Sequence, residues 1–244
     1  FELDYDNVNR INHWEFDMGS RTVVATFGEG CYFAGYDVAL PTEYAYKSKS
    51  EGGIWEEGDL RRDESIRYDF TYLGITPTEV SWGADELDPH IKKYEDERTD
   101  QFNGNLANEW YSGKNFIVLR YADVLLCYAE CLNELGETGE ANTVVNQVRA
   151  RAWGGTLPNE MAWNYGQDEF RVQIMDERIR ELCFEGWRRM DLIRTGKFVE
   201  LIKERNPWAK KSGTIKEFHM RWPIPDTEIK NNSDISEEDQ NPGY

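Results

Sequence analysis

Apolar positions recur three and four residues apart between Ile117 and Leu135. They place Tyr121, Val124, Leu125, Tyr128, Cys131, Leu132 and Leu135 on one predicted helix stripe. Gly136 follows as a stop signal, and after Glu137-Thr138-Gly139 the period resumes through Ala141, Val144, Val145 and Val148 to about Ala152. So short a turn predicts two antiparallel neighbouring helices. A further helical pattern follows Asp168, a candidate N-cap, with Phe170, Ile174, Ile179, Leu182 and Cys183 apolar. Gly186 and Gly196 punctuate it, and Phe198 to Ile202 reads as a last short helix. Leu125 and Leu182, central on their stripes, are expected in the inter-helix core. From Trp222 the tail reads as extended and turn-rich, because Pro223 and Pro225 oppose helix.

Upstream the pattern breaks up. Residues 1–113 carry short periodic runs, with Val23 to Phe27 and Ile66 to Leu73 as candidate strands, separated by turn signals such as Glu51-Gly52-Gly53. The predicted fold is mostly α, with tetratricopeptide-like helical hairpins and a loop-rich, minor-β first half. The loop-rich part runs over 1–113 and the helical region over 114–244, as one continuous domain. The tetratricopeptide pattern is partial, since its signature Trp and Pro positions are missing.

Charge narrows the partners. With 46 Asp+Glu against 28 Lys+Arg, the 244-residue chain carries a formal net charge of −18. Such a surface repels phosphate backbones and anionic headgroups, so neither nucleic acid nor a membrane surface is expected as a partner. No apolar run approaches the ~18 residues needed to span a bilayer. The chain opens at Phe1 without a signal pattern, which reads as a processed product or a piece of something longer.

Conventional catalytic and metal patterns are absent. Cys127 and Cys131 share a helix face and read as small buried hydrophobes, while no Cys or His spacing matches a zinc site. Asp4 to Val8 imitates the start of an EF-hand loop, but Asn9 stands where the sixth position requires Gly. No metal and no cofactor is expected. Between Glu177 and Lys197 acids and arginines alternate densely. Helix-surface pairs such as Glu177 with Arg180, and a bidentate Arg178 with Glu185 or Asp191, outweigh a catalytic carboxylate pair. So many arginines would also lower carboxylate pKa values, the wrong direction for a general acid.

Several blocks resemble one family. Asn115 to Leu126 with Tyr128-Ala129-Glu130 is similar to the helix that opens the C-terminal region of SusD/RagB-type proteins. Val148 to Ala152, Glu177 to Gly186 and Asp191 to Lys197 resemble its following blocks, and Trp222-Pro223-Ile224-Pro225 with Gln240 to Tyr244 its closing motifs. Trp55 to Arg62 resembles its Gly-Asp-x-Arg segment. The resemblance implies a surface-exposed lipoprotein of the outer membrane in Bacteroidetes-type bacteria. It implies non-catalytic binding of an oligosaccharide, delivered to a SusC-like TonB-dependent transporter. Family members carry a signal peptide, a lipidated Cys and a further helical-repeat half before this region. The expected membrane link is therefore a lipid anchor outside these residues.

Aromatics in the first half are candidates for the ligand surface, because flat rings on loops stack on sugar faces. Trp14, Tyr32, Tyr36 and Trp82 stand beside Gly, Asp, Cys or His and are the expected ligand-binding residues. Trp153, Trp163, Tyr165 and Trp208 read as packing residues around the helices or as contacts to the further helical-repeat half. Two other classes compete: a helical-repeat module binding a protein, and a glycoside hydrolase with two opposed carboxylates in one cleft.

Overall fold

The structure is a computed structural model that describes residues 1–5, 12–19, 35–67, 89–96 and 112–244. These form two units, Phe1–Arg188 and Arg189–Tyr244. The candidate strand at Val23 to Phe27, most of Ile66 to Leu73, and the candidate site residues Tyr32 and Trp82 lie outside the described residues.

The first unit is mostly helical with short β pairs. Strand β1 (Glu2–Leu3) pairs antiparallel with β4 (Phe116–Ile117), and β2 (Ile66–Arg67) with β3 (His90–Ile91). Three short helices, α1 (Trp14–Met18), α2 (Glu43–Tyr46) and α3 (Arg61–Ser65), precede three long ones: α4 (Tyr121–Glu134), α5 (Thr138–Ala152) and α6 (Gln167–Leu182). Helices α4 and α5 form the expected hairpin. Gly136, at φ +86°, takes the left-handed position of a complete C-terminal cap. Its N–H donates to Asn133 O, and that of Glu137 donates to Leu132 O.

The core is a seam of small and branched residues. Leu126, Ala129 and Leu132 of α4 meet Ala141, Val144, Val145 and Val148 of α5, and Phe170, Ile174 and Leu182 of α6 close it. Asn142 and Asn146, one turn apart on α5, act as backbone mimics. Each donates its amide to, and accepts an N–H from, a residue of the loop before α6: Asn142 with Tyr165, Asn146 with Trp163. That fixes Trp163 edge-on to Phe170, 5.6 Å between ring centres.

The predicted stripe on α4 is turned away from this seam. Tyr121 is 74% and Leu135 76% exposed, and Val124, Tyr128 and Cys131 are exposed too. The buried face is Ala122, Asp123, Leu126, Ala129, Leu132 and Asn133, which keeps Leu132 of the predicted stripe. Two causes combine. Alanines admit close helix approach that larger side chains prevent, and the buried polar residues are satisfied: Asp123 pairs with Arg178 at 2.8 Å, and Asn133 exchanges hydrogen bonds with Gln167. Leu125 is therefore only half-buried, whereas Leu182 is buried as expected. Cys127 and Cys131 are exposed rather than buried, and among the described residues only Cys183 is enclosed. Helix α6 begins two residues earlier than expected, capped by Gly166 rather than Asp168.

In the second unit, α7 (Arg188–Arg194), whose first residue belongs to the unit before, leads to α8 (Phe198–Arg205) and α9 (Pro207–Ser212). Asn206 caps α9 by accepting from the N–H groups of Trp208 and Ala209. Trp208 is exposed, which leaves aside the packing role of the two expected for it. The tail is less extended than its prolines imply, because α10 (Asp226–Asn231) starts directly after Pro225. Pro225 holds φ −58° at the entry, and Asp226 and Glu228 favour the positive end of the helix dipole. Gln240 then pairs with both backbone polar groups of Ile224, and Asn241 donates to Trp222 O. The closing motif is thereby stitched to the Trp222 to Pro225 segment.

Candidate functional site

A three-ring aromatic ledge stands on β4 and α1. Trp14 stacks on Tyr94 at 5.8 Å and on Phe116 at 5.5 Å, and Tyr94 lies parallel to Phe116 at 6.4 Å. Its position is set by backbone chemistry. Asn12 makes a two-way bridge with Ser112 and donates its amide to Lys114 O, while its side-chain oxygen accepts the N–H of Trp14. Tyr94 is anchored from behind, its hydroxyl donating to Phe184 O at 2.6 Å. Burial, then the Glu185 and Cys183 charges, push that phenol up to about 12, so it stays a neutral donor. Trp14 is 37% exposed, which leaves ring surface open beyond the stacked pair.

Tyr36, 41% exposed, sits on a segment tied to the far end of α1. Asp37 N–H donates to Gly19 O and Val38 N–H to Asp17 O. Asp37 takes a left-handed φ of +50°, a conformation Asp tolerates better than most residues. Trp14 and Tyr36 are thus brought to the two ends of one short helix. Tyr46 and Trp55, by contrast, are buried as core anchors with Ile54 and Ile66.

Beside the ledge runs a buried ion-pair network. Glu177 receives three guanidinium groups: Arg61 at 2.7 Å, Arg149 at 2.9 Å and Arg180 at 2.8 Å. Arg61 also grips Asp59, and Arg149 reaches Glu56, which Lys49 covers from outside. Glu181 is held by Arg61, Arg120 and Arg151, and Glu185 by Arg120 and Lys93. Burial alone would raise the Glu177 and Glu181 carboxyls, but the surrounding arginines outweigh it and hold both below the usual carboxylate range. The pair Glu177–Arg180 exists as expected, yet it is buried, not on the surface. Arg178 pairs with Asp123 at 2.8 Å, a partner that sequence reading did not name. A carboxylate held ionised is unsuited to general acid work, one of the two roles that a hydrolase's carboxylate pair must fill.

The network opens into a cavity of about 440 Å³ edged by Leu60, Lys93, Ile117, Arg120, Arg151 and Glu185. A second cavity, about 420 Å³, lies by Ser48, Lys49, Glu56, Arg149, Met161 and Tyr165. Among the described residues no three His, Cys, Asp or Glu side chains converge to hold a metal, and no helix is long and apolar enough to cross a membrane.

The model of the SusD family matches residues 41–244. The chain belongs to the SusD family. A SusD-like protein of Formosa agariphila is 31% identical over 254 aligned residues, covering 100% of this chain and 48% of that protein. The starch-binding protein SusD of Bacteroides thetaiotaomicron is 28% identical, covering 63% of this chain and 26% of its own length. Among solved structures, surface glycan-binding protein A of Bacteroides fluxus superposes with a TM-score of 0.60 at 26% identity, over 88% of this chain and 42% of that one. The chain spans at most about half the length of the curated relatives it matches.

Seen as a SusD-family chain, the blocks that carry the resemblance turn out to be contact partners. Arg61 of the Gly-Asp-x-Arg segment reaches Glu177 and Glu181 of the central block, and Arg180 donates to Ile54 O. Their residue types serve the buried network. Of the expected ligand residues, Trp14 and Tyr36 present rings on the surface of the first unit. Tyr94 and Phe116 escaped sequence reasoning. They lie far apart in the chain, and nothing local marks them as a pair.

Proposed function

We propose that this chain is a non-catalytic oligosaccharide-binding part of a cell-surface nutrient-capture protein. The reading rests on one observation: a partly exposed Trp14, backed by Tyr94 and Phe116, in a chain of the SusD family. A rigid, preordered indole loses little entropy on binding and offers a flat apolar face to the C–H side of a sugar ring. Relatives described as starch-binding and surface glycan-binding support the same ligand class. On this reading Trp14 and Tyr36 are ligand contacts, joined by Tyr32 and Trp82. The bound glycan is handed to a SusC-like TonB-dependent transporter, with the protein on the outer membrane through a lipid anchor. Screening the purified chain against an oligosaccharide panel tests the first step. Saturable binding without product release supports it, and release of shortened sugars contradicts it.

The outward stripe of α4 favours a second reading. Tyr121, Val124, Tyr128 and Leu135 form an exposed apolar face of the kind that helical-repeat modules offer to proteins. That reading requires sugar binding to be absent from the whole panel.

A further inference from the structure

The buried network is not electrically balanced. Traced through its ion pairs among the described residues, it joins seven cationic side chains to five carboxylates. The surplus is local to the first cavity, whose lining carries five cations, Arg61, Lys93, Arg120, Arg151 and Arg180, against three carboxylates, Glu64, Glu181 and Glu185. The chain around it carries −18 overall, so this surplus runs against the charge of everything else. Holding net charge in a partly dehydrated site is costly unless a counter-charge meets it.

The surplus has an address. Arg151 edges the cavity with its side chain 62% exposed, and among the described residues its one ion pair is to Glu181. A guanidinium carries five N–H donors in a planar fork, so most of its capacity faces the opening. Lys93 and Arg120 stand on the same wall. Leu60, Ile117 and Ala152 add an aliphatic patch among these charged residues. A cationic fork beside an aliphatic floor suits a sugar ring that carries its own anionic group.

We propose that this cavity binds the carboxylate or sulfate ester of an acidic oligosaccharide, with Arg151 as the residue that recognises the charge. The proposal rests on the glycan-binding reading and names the substrate class. Charge-assisted hydrogen bonds to a guanidinium discriminate strongly against the uncharged twin of the same group. Neutral sugars would then owe their affinity to the aromatic contacts, and acidic sugars to those contacts and this cavity together.

The test is calorimetric titration of the whole chain with matched tetrasaccharide pairs: galacturonan against its methyl ester, and a sulfated galactan against its desulfated form. Inorganic sulfate serves as the free-anion arm. The expected result is that at least one acidic sugar binds about tenfold tighter than its neutral twin, and far tighter than sulfate. Arg151→Gln, at an exposed position, is expected to erase that preference without changing the neutral twin's affinity, and Arg151→Lys to restore part of it. No preference in any pair, a preference that survives Arg151→Gln, or sulfate binding as tightly as the acidic sugar would each overturn the proposal. Neutral binding without charge preference sinks this inference alone. Absence of all sugar binding sinks the glycan reading beneath it.

Discussion

Arg61 and Glu177 stand 116 positions apart in the chain, yet the guanidinium donates to the carboxylate at 2.7 Å with both side chains buried. Arg61 holds Asp59 and Glu181 at the same time, so one side chain fastens the loop-rich segment to α6. Removing one partner strands charges inside the protein, a loss that typically costs ~3–5 kcal/mol. Glu177→Gln, which keeps the shape, is expected to lower the urea midpoint by an amount in that range. A midpoint equal to the parent's would mean the network contributes nothing to stability.

The same network fixes a pH dependence. Burial would raise the Glu177 carboxyl, but Arg61, Arg180 and Arg149 outweigh it; Glu181 is likewise lowered, burial opposed by Arg61 and Arg120. Groups whose folded pKa lies below the unfolded value bind fewer protons when folded. Their stabilisation is fully present above the ordinary carboxyl value of 4.5 and is lost as pH falls below it. Thermal unfolding followed from pH 7 to 3 is therefore expected to show a falling midpoint below about pH 4.5, with a shallower fall in Glu177→Gln. A midpoint constant down to pH 3 would contradict this.

Helix α4 separates size from burial. Leu126 is fully enclosed, whereas Tyr128, two positions on, is exposed. Leu126→Ala is expected to cost ~2–5 kcal/mol, and Tyr128→Ala to stay within about 0.5 kcal/mol. Chemical denaturation of the two variants checks the pair, and the reverse order would restore the stripe predicted from spacing.

That contrast shows what the sequence carries and what it withholds. Spacing locates the α4–α5 hairpin and Gly136 marks its turn, because local periodicity and a left-handed cap are local properties. The buried face of α4 was misread, since Ala122 and Ala129 are small and Asp123 and Asn133 polar, while Tyr121, Val124, Tyr128 and Leu135 point outward. Only knowledge of Arg178 and Gln167 across the seam explains why polar residues sit inside. In the candidate site, Trp14 is legible as a loop aromatic, but its ledge needs rings from positions 94 and 116. The dense charges of α6 are visible in the sequence, whereas their burial depends on Arg61, Arg120 and Arg149 arriving from elsewhere.

The central claim is that the Trp14 ring binds sugar, and calorimetric titration of the best-binding oligosaccharide against Trp14→Ala tests it most directly. Parent affinity is expected between about micromolar and millimolar. Trp14→Ala, shown by circular dichroism to keep its helices, is predicted to bind at least about tenfold weaker. Affinity unchanged in the folded variant would place the sugar elsewhere and contradict the account.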